Sequence, residues 1–410
     1  MAGSEFSQIA VLGAGTMGSG IAAQIANAGL PVLLLDLPSK EAEELSPAEA
    51  AIERLIRSEP PQLMHRDNAA LITAGTIEDD FYRLADCDLI IEAVIEQLPV
   101  KQALYRRLDE TVSPYCVITS NTSTIPISLL VEGMPLSFAA RFAITHYFNP
   151  VRFMRLLELV RGADTDDAIM DKLARFNDKT LGKGVVRCGD TPGFLGNRIG
   201  VYALQVGLHE ALNKGISIED ADALVGRPLG IPKTGVFGLY DLIGVDLMSD
   251  VVTSLRTILP EHDDFHSVGV DHQRVSQMIA DGYTGNKGKG GFYRRGPNGR
   301  EVQDILTDGN KLVWRQINTS LLDAAQRSAE ADARNDDPLG PVLDDNSPAA
   351  RYAQRVLVRI LSYAASLVPA ISHSPQDIDD AMKLGFNWQR GPFELIDAIG
   401  LDRLRHLAQE

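Results

Sequence analysis

Short continuous apolar runs mark the first part of the chain. They cover residues 8–12, 31–36, 89–91, 116–120 and 141–148. Runs of this length are typical of buried strands, and apolar positions recur at helical spacing between the first two. A strand, a helix and a second strand of these lengths form a βαβ unit. The pattern therefore predicts an N-terminal Rossmann-type doubly wound sheet, which we expect to end near Val160.

Helical periodicity dominates the second half of the chain, most clearly at residues 199–213 and 352–368. This half contains an internal repeat whose corresponding residues lie 156 or 157 positions apart: Asp222 and Asp379, Gly235 and Gly391, Phe237 and Phe393. Asn197 of the first copy is replaced by Gln354 in the second. The second copy thus keeps the framework residues but not the asparagine. We therefore expect it to have a structural role, in which it packs against the first copy and buries that copy's apolar face.

These patterns predict an α/β chain with a mainly α-helical C-terminal region in two homologous copies. The expected segments are a Rossmann domain at 7–188 with a helical insertion near 41–70, a first helical C-terminal domain at 189–300, a linker region at 301–347 and a second helical copy at 348–410. The insertion is expected to be a pair of helices. Residues 1–6 are excluded from the expected fold because Gly3-Ser4-Glu5-Phe6 resembles two translated restriction sites.

The chain of 410 residues is strongly acidic, since 55 acidic residues outnumber 39 lysines and arginines to give a net charge of -16. Such a surface repels nucleic-acid phosphates and anionic lipid, so neither is an expected partner. Three separated cysteines without a CxxC pair favour a reducing compartment, and no apolar run reaches the roughly 18–20 residues of a membrane span. We therefore expect a cytoplasmic protein without membrane association.

A glycine-rich turn follows the first predicted strand and opens the first helix. Its residues are Gly13, Gly15, Thr16, Met17 and Gly18, in the order of a GxGxxG motif. In this position glycines allow a tight turn and a close approach of backbone N–H groups to a pyrophosphate. Asp36 ends the next strand, where a carboxylate binds the adenosine ribose hydroxyls and repels a 2'-phosphate. NAD is therefore the expected cofactor, although these residues alone also permit a flavin or a glycine turn without a ligand.

His146 is the candidate catalytic base. It lies near the end of a predicted strand, and Glu158 follows twelve residues later within the apolar run 156–160. A carboxylate among apolar neighbours needs a partner, and a chain reversal at Asn149-Pro150 would bring it to the imidazole. That contact would fix the tautomer and stabilise the imidazolium when the ring takes a proton from an alcohol. From spacing alone, a core histidine and a solvent-facing glutamate are an equal alternative.

With these residues in place, the sequence resembles the L-3-hydroxyacyl-CoA dehydrogenases of fatty-acid β-oxidation. The matching motifs run in family order over nearly the whole chain: residues 13–18, 91–96, 120–123, 146–150, 190–194, 197–198 and 289–293, followed by the two C-terminal copies. The resemblance implies that His146 is the catalytic base and Glu158 its partner. It also places Ser123, Asn149 and Asn197 around the substrate's 3-hydroxyl and thioester, where short donors stabilise developing carbonyl charge.

Several of the matched positions also suit a purely structural role. Glu96 and Lys101 match family positions near the nicotinamide ribose, although an acid and a base five residues apart also suit a solvated helix start. The serine and asparagine positions equally suit turn capping. Lys287 and Lys289 could meet CoA phosphates, but a basic turn is the favoured interpretation. No metal is expected, since the proposed chemistry requires none.

The resemblance implies NAD-dependent oxidation of an L-3-hydroxyacyl-CoA to the 3-oxoacyl-CoA. Tandem C-terminal copies resemble multifunctional β-oxidation proteins, so a hydratase domain is a candidate neighbour in the full-length chain. A monomer is favoured, with a dimer as the alternative, because the second copy can take the place of a partner subunit. The other functions left open are a dehydrogenase of a free hydroxy acid or sugar acid, and an NAD-binding protein without turnover.

Overall fold

The computed structural model of the chain describes residues 4–39, 44–306, 312–318 and 322–409. These residues form two compact units. Unit 1 comprises the chain up to Phe194 together with Ala370–His373, and unit 2 comprises Leu195–Pro369 and the chain from Ser374 onwards. Within the described ranges, every helix is too short or too polar to cross a membrane.

Unit 1 is built on a mostly parallel sheet. Its eight strands are β1 (Ile9–Leu12), β2 (Val32–Asp36), β3 (Ile72–Thr76), β4 (Leu89–Glu92), β5 (Val117–Ser120), β6 (Phe142–Tyr147), β7 (Leu156–Arg161) and β8 (Gly184–Cys188). They lie in the order β3-β2-β1-β4-β5-β6-β7-β8, and only β6 and β7 pair antiparallel. Strands β1, β4 and β5 are buried along their whole length, as continuous apolar runs predict. The predicted Rossmann-type sheet is confirmed.

Among the described residues of unit 1, six α-helices accompany this sheet. They are α1 (Thr16–Asn27), α2 (Pro47–Arg57), α3 (Leu98–Thr111), α4 (Ile127–Leu130), α5 (Leu136–Ala139) and α6 (Asp167–Arg175). Helix α2 begins at a capping box, in which Ser46 accepts the backbone N–H of Glu49 and the Glu49 carboxylate accepts that of Ser46. The insertion near 41–70 was expected to be a pair of helices. Its described part instead contains α2 and a short 3-10 helix at Arg66–Leu71, and residues 41–43 lie outside the described residues.

The sheet is larger than the sequence predicted. It does not end near Val160, because β8 follows and pairs with β7. Strand β3 was also missed, and it lies at the opposite edge of the sheet. The fold also includes Phe6, contrary to the exclusion of residues 1–6. Its ring is fully buried and packs edge-on against Phe176, with ring centroids 5.2 Å apart.

Unit 2 is mainly helical. Its elements are α7 (Gly196–Lys214), α8 (Ile218–Leu224), α9 (Phe237–Ile243), α10 (Val245–Ile258), α11 (Gln273–Ala280), β9 (Tyr293–Gly296), β10 (Gly299–Gln303), β11 (Trp314–Gln316), α12 (Asp323–Ala333), α13 (Gly340–Leu343), α14 (Pro348–Ser366), α15 (Pro375–Phe386), α16 (Pro392–Ile399) and α17 (Leu401–Leu407). The prediction of a linker at 301–347 is wrong. This stretch contains β11, α12 and α13, and the side chains of Val302, Ala324 and Val342 are buried.

The two C-terminal copies pack against each other as expected. Helices α7 and α14 correspond in the repeat and lie in contact, and the Tyr352 hydroxyl donates to the Gly207 carbonyl at 3.0 Å. Most of the apolar side chains of α14 are buried. The second copy therefore completes the core of unit 2.

The repeated aspartates hold the start of a helix in each copy. Asp222 accepts the backbone N–H groups of Phe237 and Gly238 at 2.8 and 3.0 Å, and Asp379 accepts those of the corresponding residues at 2.7 and 3.1 Å. A Cβ added at Gly235 would lie 2.5 Å from the Asp222 carboxylate. The repeat therefore preserves a helix-capping device, and its glycine is required for the close approach.

Candidate functional site

The glycine turn between β1 and α1 is closely packed on one side. Gly13 has a φ of +102°, and a Cβ added there would lie 2.4 Å from the carbonyl oxygen of Ala93. A Cβ added at Gly18 would lie 1.8 Å from the carbonyl oxygen of Gly13. Both distances are shorter than real Cβ contacts, so the turn and the packing of α1 require glycine at these positions.

The other side of this turn is open. A Cβ added at Gly15 would meet no described atom within 4 Å, and Gly15 and Thr16 are exposed at the N-terminus of α1. The Asp36 carboxylate accepts the backbone N–H of Ala14 at 2.5 Å and that of Leu37 at 2.6 Å. Each carboxylate oxygen retains a lone pair for a ribose hydroxyl. The turn therefore fits a dinucleotide, with backbone N–H groups at the pyrophosphate position and Asp36 at the adenosine ribose position.

Three predicted site residues lie at or just after the carboxyl ends of neighbouring strands. Strands β4, β5 and β6 are parallel neighbours. Glu96 follows β4, Ser123 follows β5, and His146 lies at the end of β6. Because the carboxyl ends of parallel strands share one edge of a sheet, the fold gathers these residues at the edge where ligands of Rossmann folds bind.

Glu96 and Lys101 form part of this edge. Lys101 is only 1% exposed, and its ammonium lies 3.2 Å from the Glu96 carboxylate. Glu96 also accepts the Thr122 hydroxyl and the backbone N–H of Ser123. Burial raises the pKa of Glu96, but the Lys101 ammonium and the Thr122 hydroxyl outweigh it and hold the pKa below its usual value. The alternative of a solvated helix start is therefore wrong for Lys101.

A buried carboxylate that the sequence analysis missed anchors Lys101. Glu92 is fully buried at the end of β4, and its carboxylate lies 2.7 Å from the Lys101 ammonium. The hydroxyls of Tyr105 and Ser120 donate to the other carboxylate oxygen at 2.5 and 2.7 Å. The available signal was a carboxylate at the end of an apolar run, comparable to the carboxylate within an apolar run that singled out Glu158. Glu92 holds Lys101, and Lys101 in turn holds Glu96 next to Ser123.

The predicted contact between His146 and Glu158 is present. The two residues lie directly opposite each other on the antiparallel strands β6 and β7. Imidazole Nδ1 lies 2.6 Å from a carboxylate oxygen of Glu158, and the side chains are 8% and 0% exposed. Glu158 is therefore not a solvent-facing strand residue, and the carboxylate fixes the ring orientation by binding Nδ1.

The second ring nitrogen of His146 remains free to act. Among the described residues, the imidazole forms its hydrogen bond to Glu158 through Nδ1, and Nε2 forms none. Phe148 and Phe194 pack beside the imidazole, with ring centroids 4.5 and 5.7 Å away. These apolar neighbours reduce solvent screening around the pair, which strengthens its electrostatic interaction.

The turn after β6 carries Asn149. Asn149 is exposed and lines a cavity of about 160 Å³ together with Thr16 and Gly20 of α1 and Arg54 of α2. The cavity thus joins the cofactor turn to the turn that follows the candidate base. Buried Lys183 supports the same turn by donating to the carbonyls of Val151 and Met154. Sequence analysis missed Lys183, since a lone lysine before a strand carries no recognisable signal.

Asn197 belongs to unit 2, unlike the other predicted catalytic residues. It is half-buried in the first turn of α7. Along the chain it follows Phe194, the residue that packs against the imidazole, by three positions. Within the described residues, no cluster of three or more His, Cys, Asp or Glu side chains has metal-binding geometry.

Both parts of the chain match models of one family. The NAD-binding domain of 3-hydroxyacyl-CoA dehydrogenase matches residues 8–191, and the C-terminal domain of 3-hydroxyacyl-CoA dehydrogenase matches residues 193–295 and 352–410. The chain belongs to the 3-hydroxyacyl-CoA dehydrogenase family. Unit 1 therefore carries the NAD-binding domain of a family of oxidoreductases, and NAD is the cofactor, as the glycine turn and Asp36 predicted. The resemblance stated from the motifs is confirmed.

Relatives of this family member match almost all of the chain. A Rickettsia felis protein, provisionally named as a fatty acid oxidation complex trifunctional enzyme, is 37% identical over 97% of this chain and 54% of its own length. A Bacillus subtilis protein, provisionally named as a 3-hydroxyacyl-CoA dehydrogenase, is 34% identical over 96% of this chain and 51% of its own length. The chain thus spans about half the length of these curated relatives.

A solved structure also matches almost the whole chain. The crystal structure of 3-hydroxybutyryl-CoA dehydrogenase from Escherichia coli K12 matches with a TM-score of 0.69 and 25% identity. The match covers 98% of this chain and 94% of that protein. The Rossmann unit and the helical unit are therefore both shared with this enzyme.

Proposed function

We propose that this family member oxidises an L-3-hydroxyacyl-CoA to the 3-oxoacyl-CoA with NAD, within fatty-acid β-oxidation. The observation that carries the proposal is the buried pair of His146 and Glu158, 2.6 Å apart on neighbouring strands. The pair lies in the unit that carries the NAD-binding turn. The names of the Bacillus subtilis and Escherichia coli proteins support the same substrate class.

His146 would act as the general base through Nε2. The Glu158 carboxylate would accept a hydrogen bond from Nδ1–H and thereby leave the lone pair of Nε2 available to the substrate hydroxyl. As the hydroxyl proton moves to Nε2, the imidazole becomes positive, and the adjacent carboxylate stabilises that charge. NAD, when bound, supplies the acceptor for the hydride that leaves carbon 3.

Three polar side chains would hold the substrate. Ser123 and Asn149 lie on the turns that follow β5 and β6, and Asn197 lies at the start of α7. Their short side chains suit hydrogen bonds to the 3-hydroxyl and the thioester carbonyl as carbonyl character develops. Glu96 and Lys101 would border the nicotinamide ribose, with Glu92 holding the ammonium in place.

We further infer that the chain is the dehydrogenase part of a larger protein that also carries a hydratase. The provisional name of the Rickettsia felis relative describes a multifunctional enzyme, and this chain spans 54% of its length. A tandem C-terminal domain, with the second copy packed on the first, supports a monomeric dehydrogenase part.

The reaction is tested by following NADH formation from purified protein and NAD. L-3-hydroxybutyryl-CoA should be oxidised, whereas free 3-hydroxybutyrate and the D-isomer of the thioester should react far more slowly. Faster turnover of the free acid would replace the proposal with a hydroxy-acid dehydrogenase. Tight NADH binding without turnover of any hydroxyacyl-CoA would favour an NAD-binding protein without catalysis.

A further inference from the structure

Unit 2 contains a cavity lined by the hairpin of β9 and β10 and by the glycine-rich turn before it. Its volume is about 550 Å³, and its lining includes Lys289, Arg294, Arg295 and Arg300. No acidic side chain is found among the described residues that line it. Arg294 is paired with Glu301, but the other three cations still form a local excess of positive charge in a chain whose net charge is -16.

The register of a hairpin places two of these arginines against each other. Strands β9 and β10 pair antiparallel, and Arg295 lies directly opposite Arg300. Like charges at directly opposite positions destabilise a strand pair. Arg294, the preceding residue of β9, lies opposite Glu301 and binds its carboxylate at 2.8 Å. The hairpin thus neutralises one arginine internally and leaves two facing each other.

Neither Arg295 nor Arg300 has a carboxylate within ion-pair distance in the described part of the chain. Both are exposed, and the Arg300 guanidinium lies 4.2 Å above the ring of Tyr293, which also lines the cavity. A guanidinium stacked on an aromatic ring retains its in-plane N–H donors. The two side chains therefore present donors on the face of the hairpin where their charges repel.

The neighbouring glycine-rich turn adds a third cation. Lys287 fits the basic-turn interpretation, since it forms an ion pair with Asp246 at 2.8 Å. Lys289 differs, because its ammonium binds the backbone carbonyl of Asp281 at 3.0 Å and lines the cavity. Its charge has no acidic partner within ion-pair distance among the described residues.

We propose that this cavity binds the diphosphate group of a small molecule. Arg295 and Arg300 would each bind phosphoryl oxygens with two N–H groups, a geometry that suits guanidinium, and Lys289 would add a third positive charge. The cavity volume lies within the range of roughly 300–1,000 Å³ that is usual for small-molecule sites. A bound diphosphate would also remove the repulsion between the two arginines, so binding should stabilise unit 2.

The diphosphate could belong to a free nucleotide or to a CoA thioester, and the second source rests on the proposed function. Isothermal calorimetry with inorganic pyrophosphate tests the site itself. No NAD is added, since its own diphosphate would compete for the cavity, and the variants separate the cavity from the dinucleotide turn. The variants are R295Q/R300Q and the control R334Q/R405Q, which removes two exposed arginines from the same unit.

Pyrophosphate should bind the unmodified protein, and R295Q/R300Q should weaken binding on the order of 100-fold, since two charged hydrogen-bonding groups are lost. R334Q/R405Q should change the affinity by less than about threefold. Without ligand, R295Q/R300Q should unfold at the same temperature as the unmodified protein or higher, because a repulsive pair is removed. Titrations of the unmodified protein and of R295Q/R300Q with ADP and CoA then identify the source: a larger loss of affinity for CoA than for ADP in the variant indicates the thioester, and an equal or smaller loss indicates a free nucleotide.

Two results would overturn the inference. One is the absence of pyrophosphate binding with a dissociation constant below about 1 mM. The other is equal affinity for the unmodified protein and R295Q/R300Q. Neither result bears on the dehydrogenase reaction, which is measured separately by NADH formation, so failure of one proposal is distinguishable from failure of the other.

Discussion

Replacing Glu158 with Gln tests the charge of the buried carboxylate while preserving its size. The carboxylate lies 2.6 Å from Nδ1 of His146, and exposures of 0% and 8% leave little solvent to screen the pair. The interaction of a hydrogen bond with a charged group is worth about 1.5–3 kcal/mol. If this energy is realised only when the imidazole becomes positive, kcat/KM should fall by roughly 10- to 150-fold in Glu158→Gln.

The assay is steady-state NADH formation from L-3-hydroxybutyryl-CoA, combined with a fluorescence titration of NADH. Most of the loss should appear in kcat, and NADH affinity should change by less than about threefold, because Glu158 is assigned to the transition state and not to cofactor binding. Glu132→Gln makes the same chemical change at an exposed position of unit 1 and should leave both quantities within about twofold of the unmodified protein.

Activity of Glu158→Gln equal to that of the unmodified protein would refute the reasoning. It would mean that the carboxylate only fills space beside His146. Reduced NADH affinity together with a lower unfolding temperature would instead assign Glu158 a role in holding unit 1 together.

Three further changes follow from the same contacts. Asp36→Asn should weaken NADH binding by roughly tenfold in fluorescence titrations, since a charged acceptor for the ribose hydroxyls is lost. The ratio of NADH affinity to NADPH affinity should also become smaller, and an unchanged ratio would contradict the role of Asp36. Lys101→Met should lower the free energy of unfolding in urea by about 3–5 kcal/mol, because buried Glu92 loses its partner ammonium. Adding Glu92→Gln should restore most of this free energy. A double variant less stable than Lys101→Met would contradict the pairing of Lys101 with Glu92. Burial raises the pKa of Asp222 from 3.8 to about 7, so its contribution to stability is full below about pH 4 and is lost as the pH rises to about 7. The unfolding free energy relative to Asp222→Asn should therefore fall on the order of 4 kcal/mol across this window, and a difference independent of pH would contradict the prediction.

The sequence predicted the centre of the sheet better than its edges. Strands β1, β4 and β5 are buried on both faces and are therefore continuous apolar runs. The missed strands, β3 and β8, are the two edge strands and have one neighbour each. Only the first residue of β3 is buried, so its sequence carries little apolar signal. The stretch at 301–347 was misjudged because the residues that α12 buries are alanines and a serine.

The candidate site was predictable where one turn determines the geometry. A reversal after β6 places His146 opposite Glu158, so their spacing and a carboxylate among apolar neighbours were sufficient to predict the contact. The burial of Lys101 could not be predicted, because an acid and a base near the start of a helix have the same spacing whether they are exposed or buried. Its burial depends on Glu92, which lies on a strand and not on its own helix. The opposed arginines of the hairpin depend on strand register, which no local pattern specified.

The central claim is that His146 takes the hydroxyl proton while the hydride leaves carbon 3. The most direct test is single-turnover NADH formation by His146→Gln at saturating NAD and L-3-hydroxybutyryl-CoA. The rate should fall by a factor on the order of 10² to 10⁴, with NADH affinity nearly unchanged. A single-turnover rate equal to that of the unmodified protein would contradict the assignment of His146 as the base.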